Sequence, residues 1–182
     1  MTGEFGMSNA GKAWLRRVEP LTSARPDPAL IPARRIARQS TRAIEVSGNA
    51  VHVVLADRQR QYEITLAVPA WDKRETSVAA DILQKARLAP LDDLPDTLLN
   101  HLREHQVDLT PRLEQIEVQP TSAARRHTLA ALYRLIQLLD EEPQRALTLR
   151  TAHARAEESD RVESLWVPLA DLNAAHFYSR PR

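Results

Sequence analysis

The segment HLREH at residues 101–105 contains two histidines at a spacing that suits metal binding. It matches the H-x-x-E-H pattern of inverted zinc metallopeptidases, and histidines four residues apart share one helix face and could hold a metal ion. However, Leu98, Leu99 and Leu102 give the segment the apolar face of an ordinary amphipathic helix. A peptidase also needs a distal third ligand. We therefore predict a surface helix with exposed histidines and no catalytic residue.

A second group consists of arginines that could bind phosphate. They form two clusters, Arg34, Arg35, Arg38 and Arg42, then Arg125 and Arg126. The second cluster lies at the start of a predicted helix, where free N–H groups and the helix dipole favour anions. With 25 basic and 24 acidic residues, the chain lacks the basic balance of a dedicated nucleic-acid-binding domain. These arginines are candidate nucleic-acid contacts; the alternative is a solvated face on which they pair with Glu or Asp.

Composition excludes several classes of enzyme. The absence of cysteine excludes disulfides, thiolate catalysis and cysteine-based metal sites. The chain has only four glycines, and none of the motifs G-x-x-x-x-G-K-[ST], G-x-G-x-x-G and G-x-S-x-G occurs. We predict that the protein is not an enzyme and that it binds no cofactor and no metal.

The elements that would position these side chains indicate an α+β fold. Alternating or β-branched segments at residues 43–46, 50–55 and 62–68 are separated by turns at 47–49 and 57–60. This pattern is typical of a three-stranded antiparallel meander, and glycine in the first turn suits a positive φ. Four or five helices are predicted to pack against the meander.

The predicted helices follow from apolar spacing and from their caps. They cover residues 33–38, residues 77–86, a segment opened by Pro95, residues 123–140 and a short segment after Pro143. The helix at 123–140 has the widest apolar face, which includes Leu132 and Ile136, so we predict that it is the centre of the core. The predicted N-terminal cap of this helix is Thr121 or Ser122. Ser77 is the predicted cap of the helix at 77–86.

One domain accounts for most of the chain. Residues 1–10 are predicted to be a disordered N-terminus or an expression remnant, 11–151 the α+β domain, and 152–182 a linker and C-terminal tail that packs back on it. No apolar run approaches the ~18 residues that a membrane span needs, and the N-terminus lacks the apolar core of a signal peptide. The predicted location is therefore the cytoplasm, away from membranes.

Several segments resemble, in order, parts of the bacterial SWIM zinc-finger family. They are RRIAR at 34–38, IEVSGNAV at 44–51, YEITL at 62–66, LPDTLL at 94–99, RRHTLAALY at 125–133, LLDEEP at 138–143, and LAD and HFY at 169–171 and 176–178. The likeness covers roughly residues 12–180.

The resemblance implies a degenerate zinc site. The family signature is Cys-x-Cys followed by Cys-x-His at a helix start, and here His127 stands at the final position while Arg125 replaces the third cysteine. The first pair falls on Glu117 and Gln119, or on Ile116 and Val118 with a spacer one residue longer. Because one imidazole cannot close a tetrahedral zinc site, His127 is a vestigial motif position in a metal-free domain.

The resemblance also implies a binding function, because SWIM domains bind DNA or proteins and bacterial members accompany helicase-type ATPases. We predict a non-catalytic, metal-free SWIM-like adaptor that binds a protein partner, in DNA transactions beside such an ATPase. The alternative is direct, sequence-independent DNA binding through the arginine clusters.

Purified protein is expected to contain no stoichiometric zinc, and a chelator should leave its melting temperature unchanged, because the cysteine ligands are absent. Elemental analysis and thermal unfolding with and without EDTA measure both. Stoichiometric zinc that is lost on His127→Ala would contradict the degenerate site. Zinc lost on His101→Ala or His105→Ala would instead support a metallopeptidase.

Overall fold

The computed structural model describes residues 4–20, 27–86 and 93–151 and has an α+β fold. The helices are α1 (Asn9–Val18), α2 (Leu30–Gln39), α3 (Lys73–Ala86), α4 (Asp96–Glu104), α5 (Arg125–Glu141) and α6 (145–151), with a 3-10 turn at Leu113–Gln115. The strands are β1 (Thr41–Ser47), β2 (Ala50–Asp57), β3 (Arg60–Ala67) and β4 (Glu117–Gln119). The predicted C-terminal tail lies outside the described residues.

The strands form one antiparallel sheet in the order β1-β2-β3-β4. The predicted meander is β1 to β3, and the sheet has a fourth strand because the short β4 pairs with β3, Val118 opposite Leu66. On β2 every second residue from Val51 to Asp57 is buried, since one face of the sheet is covered by helices and the other is open to solvent.

Helix α5 is the centre of the core, as predicted. It contacts α1, α2 and the first three strands, and Leu132 and Ile136 are 4% and 0% exposed. The predicted caps Thr121 and Ser122 are wrong, because α5 begins after Ala124, which supplies no side-chain cap.

Helix α3 also begins at a different residue from the prediction. The Glu75 N–H donates to Asp72 Oδ1 at 2.7 Å, and the Asp72 N–H donates to Glu75 Oε2 at 3.0 Å. This reciprocal capping box starts the helix at Lys73, one turn before Ser77, so Ser77 is not its cap.

The carboxylate of Asp140, near the end of α5, holds the chain that leads into α1. It accepts hydrogen bonds from the N–H groups of Gly6 at 2.8 Å and Ser8 at 2.9 Å. The Ser8 hydroxyl in turn caps α1 by accepting from the Gly11 N–H at 2.9 Å. Residues 4–10, set apart in the sequence analysis, are thus tied to α5 by specific contacts, which include the Phe5 ring against Tyr133.

Among residues 4–20, 27–86 and 93–151, no helix combines the length and the apolar character needed to cross a membrane.

We expect Gly11→Ala to destabilise the protein, although alanine normally favours a helix by up to about 1 kcal/mol over glycine. A Cβ atom at Gly11 would overlap the Asp140 carboxylate, and overpacking of this kind costs about 1–3 kcal/mol. Urea unfolding of Gly11→Ala, Asp140→Ala and the double variant measures the coupling. In the Asp140→Ala background the glycine substitution should become neutral or stabilising; an equal cost in both backgrounds would show that Asp140 is not the obstacle.

Candidate functional site

Arg34, one of the candidate phosphate-binding residues, is engaged inside the fold. Its guanidinium forms an ion pair with Glu19 and donates to the Tyr133 hydroxyl at 3.2 Å, and that hydroxyl donates to the same carboxylate. Burial and the hydrogen bond to Glu19 raise the pKa of Tyr133. Burial alone would lower the pKa of Arg34, but its bonds to Glu19 and Tyr133 raise it. This arginine is therefore a structural link from α2 to α5.

Arg125 is also paired within the protein. Its Nε lies 3.0 Å from Asp27 Oδ2, just before α2. Asp27 also accepts a hydrogen bond from the Ala29 N–H at 2.8 Å. The hydrogen bond from Ala29 and, to a smaller extent, that from Arg125 lower the pKa of the Asp27 carboxyl. The charge of Arg125 is thus balanced where a phosphate was expected.

The anion at the start of α5 is the carboxylate of Asp57, the last residue of β2. Asp57 Oδ2 lies 3.0 Å from His127 Nε2 and 3.4 Å from Arg126 Nε. Since an ionised carboxylate only accepts hydrogen bonds, both side chains donate to it. The hydrogen bond from His127, followed by that from Arg126, lowers the pKa of Asp57 despite its burial. Arg126, predicted to attract phosphate, is therefore already paired within the chain.

His127, the vestigial motif position, is a core residue. Its ring is 2% exposed, and Tyr62 packs on it with 3.9 Å between ring centroids. In the part of the chain that the structure describes, no group of three or more His, Asp or Glu side chains could hold a metal ion. The imidazole is instead fixed between an aromatic ring and a carboxylate, which leaves it no access to a substrate.

Three of the arginines predicted to contact nucleic acid lie at the surface. Arg35, Arg38 and Arg42 are exposed, and within residues 4–20, 27–86 and 93–151 none of them forms an ion pair. Arg38 lies over the Phe5 ring, with 5.1 Å from its Cζ to the ring centroid. Arg35 and Arg38 are one helical turn apart on α2, so the structure brings these two to a common face.

Sequence reasoning missed Arg58 and Arg60, which are exposed in the turn between β2 and β3. The turn was recognised, but its residues were not considered as contacts. The sequence pattern that could have indicated them is a hairpin turn with two arginines. Such turns favour glycine and asparagine, and this one contains neither.

The HLREH segment forms the surface helix that was predicted. His101 lies on α4 and His105 directly follows it, both exposed, with 5.0 Å between their ring centroids. Among the described residues, the pair does not belong to a group of three or more His, Asp or Glu side chains that could hold a metal ion.

Comparisons with protein-family models, curated proteins and solved structures find no match to this chain. Its function is therefore argued from its own residues and their geometry.

We expect Asp57→Asn to lower the free energy of unfolding at pH 7 by about 1–3 kcal/mol, because His127 and Arg126 lose a charged acceptor. The pKa of Asp57 is lower in the folded protein than in the unfolded chain. The stabilisation is therefore fully present above the unfolded pKa of about 3.9 and is lost as the pH falls through that value towards the folded pKa.

Urea unfolding between neutral and strongly acidic pH measures this effect, with Asp81→Asn as a control at an exposed carboxylate on α3. The wild-type and Asp57→Asn stabilities should converge at low pH, while Asp81→Asn should follow the wild type throughout. A constant difference at every pH would show that Asp57 is not held as the ionised partner.

Proposed function

We propose that this chain is a metal-free, non-catalytic interaction module whose main function is to bind a protein partner. The distribution of the arginines supports this over phosphate binding at the predicted positions. Arg34, Arg125 and Arg126 are each paired with a carboxylate of the same chain. A phosphate would have to displace Glu19, Asp27 or Asp57, each of which accepts a further hydrogen bond in the same network.

The observation that carries the proposal is the outer face of α2. Ile31, in the first turn of this helix, is 80% exposed, and Arg35 and Arg38 follow at intervals of four and three residues on the same face. Arginine and large apolar side chains are typical of protein interfaces, where arginine contributes both apolar contact and directed hydrogen bonds. A protein surface offers both kinds of contact, whereas a phosphate backbone would leave Ile31 in water.

In this proposal the partner acts on DNA, and the SWIM resemblance favours a helicase-type ATPase. The module contributes binding and no chemistry. The buried His127–Asp57 pair supports this, because an imidazole and a carboxylate that could exchange a proton are closed off from solvent.

Direct, sequence-independent DNA binding is the second candidate function. It is favoured by the exposed arginines that form no ion pair in the described ranges, Arg35, Arg38 and Arg42. These side chains would contact phosphate, because arginine contacts to the nucleic-acid backbone need no particular base sequence.

The α2 face can be tested by recovering partners from native extract with the full chain, with and without nuclease. Ile31→Asp should abolish recovery of a nuclease-resistant protein partner, since it places a charge at the proposed contact. Ser77→Asp, the same change at an exposed position on α3, should retain it. The recovered partner is then purified, and its affinity for each variant is measured by calorimetry.

Equal recovery by both variants would show that α2 is not the binding face. Recovery that disappears with nuclease would favour the second candidate over the adaptor. Melting temperatures of the variants are expected to match that of the wild type, because both positions are exposed.

A further inference from the structure

Four arginines lie at or beside the end of the sheet where Asp57 stands. Arg58 follows it in the chain, Arg60 is its cross-strand partner on β3, and Arg126 of α5 lies 3.4 Å away. Arg42 occupies a bulge in β1, between Thr41 and Ala43. Thr41 lies opposite Leu55, which is two residues before Asp57 in β2. We call these four residues, Arg42, Arg58, Arg60 and Arg126, the arginine end of the sheet.

The arginine end carries a surplus of positive charge. Asp57 is the acid at its centre, and its carboxylate is already taken by Arg126 and His127. The other three arginines are exposed, and within the described residues they form no ion pair. Because the whole chain has a formal net charge of only +1, this end is much more positive than the average surface.

The turn that presents Arg58 and Arg60 has an unfavourable backbone. Arg58 and Gln59 have φ values of 49° and 67°, which are left-handed conformations that side chains other than glycine and asparagine rarely adopt. An Asn-Gly pair would fit such a two-residue hairpin turn with less strain. Strain of this kind is concentrated at functional sites, and here it accompanies the choice of arginine at the tip.

We infer that the three unpaired arginines of this end, Arg42, Arg58 and Arg60, bind the phosphate backbone of duplex DNA, while Arg126 stays paired with Asp57. This inference rests on the second candidate function and gives it a location centred on Arg58 and Arg60, which the sequence clusters did not include. A guanidinium binds two phosphate oxygens at once through parallel N–H donors. The nearby aromatic ring, Tyr62, is packed on buried His127 and is not free to stack on the bases of a single strand. The exposed guanidinium groups therefore favour contact with phosphates, which a duplex presents at regular spacing on both strands.

The test is fluorescence anisotropy of the full chain with short labelled duplexes of two unrelated sequences, between about 50 and 200 mM salt. Arg58→Ala with Arg60→Ala should weaken binding to both duplexes about tenfold or more at the lower salt concentration. It should also flatten the slope of log affinity against log salt by about 1.8, because each phosphate contact contributes about 0.9.

The matched control is Arg74→Ala with Lys85→Ala, which removes the same charge from exposed positions on α3. That helix follows the opposite end of the sheet, where the Val68 N–H donates to the Asn49 carbonyl. The control should leave affinity and slope within about twofold of the wild type. An equal loss in the control would overturn the inference, because it would show a dependence on net charge alone.

A second variant, Arg58→Asn with Gln59→Gly, separates binding from folding. It installs the pair that the turn geometry favours, so its melting temperature should equal or exceed that of the wild type while DNA binding falls. Unchanged binding in this variant and in the double alanine variant would overturn the arginine end.

The outcomes also separate this inference from the function on which it rests. One such outcome is DNA binding that is unchanged in Arg58→Ala with Arg60→Ala but lost in Arg35→Ala with Arg38→Ala. That result would retain the second candidate function and overturn the arginine end as the binding location. No binding by the wild type at the lowest salt concentration would overturn both. Polyglutamate that competes as well as unlabelled duplex at equal charge would indicate an acidic protein as the ligand, against the proposal.

Discussion

The contact between Asp57 and His127 joins the sheet to the central helix. The apolar face of α5 supplies burial but little direction, because hydrophobic contact is roughly proportional to area and tolerates sliding. A buried carboxylate that accepts from a ring nitrogen and from Arg126 allows far fewer arrangements, since displacing either donor costs the carboxylate a directional hydrogen bond. The end of β2 and the first turn of α5 are thereby held in one register.

The same device recurs along α5. Glu19 is bound to Tyr133 in the middle of the helix, and Asp140 near its end holds the backbone of Gly6 and Ser8. Each carboxylate connects α5 to a segment distant in sequence, so Asp57, Glu19 and Asp140 serve as internal partners.

The fold class and most elements could be predicted because hydrophobic periodicity is a local signal. The alternation of Tyr62, Ile64 and Leu66, for example, identifies β3 without any tertiary information. β4 has only three residues, and it is defined by its pairing with β3 rather than by a period of two. The starts of α3 and α5 were misplaced for different reasons: Asp72 competes with Ser77 as a cap, and α5 has no side-chain cap at all.

The candidate site was harder to predict from the sequence, because residues of opposite charge that pair in the structure are distant in the chain. Arg126 and Asp57 are separated by 69 residues, and no local pattern indicates that they meet. The arginines were therefore grouped by sequence proximity, which joined the internally paired Arg34 to the exposed Arg35. Spatial grouping instead places Arg42 near Arg58 and Arg60 through strand pairing.

The position of β1 at the edge of the sheet has a consequence for colloidal behaviour. β1 is the first strand of the sheet order, so one side of its backbone has no neighbouring strand among the described residues, and such edges can recruit strands of other molecules into aggregates. The bulge at Arg42 interrupts the regular spacing of that edge, and the charges of Arg42 and Glu45 disfavour burial against a second copy. Arg42 thus has a second reason to be charged, which is to keep concentrated protein in solution.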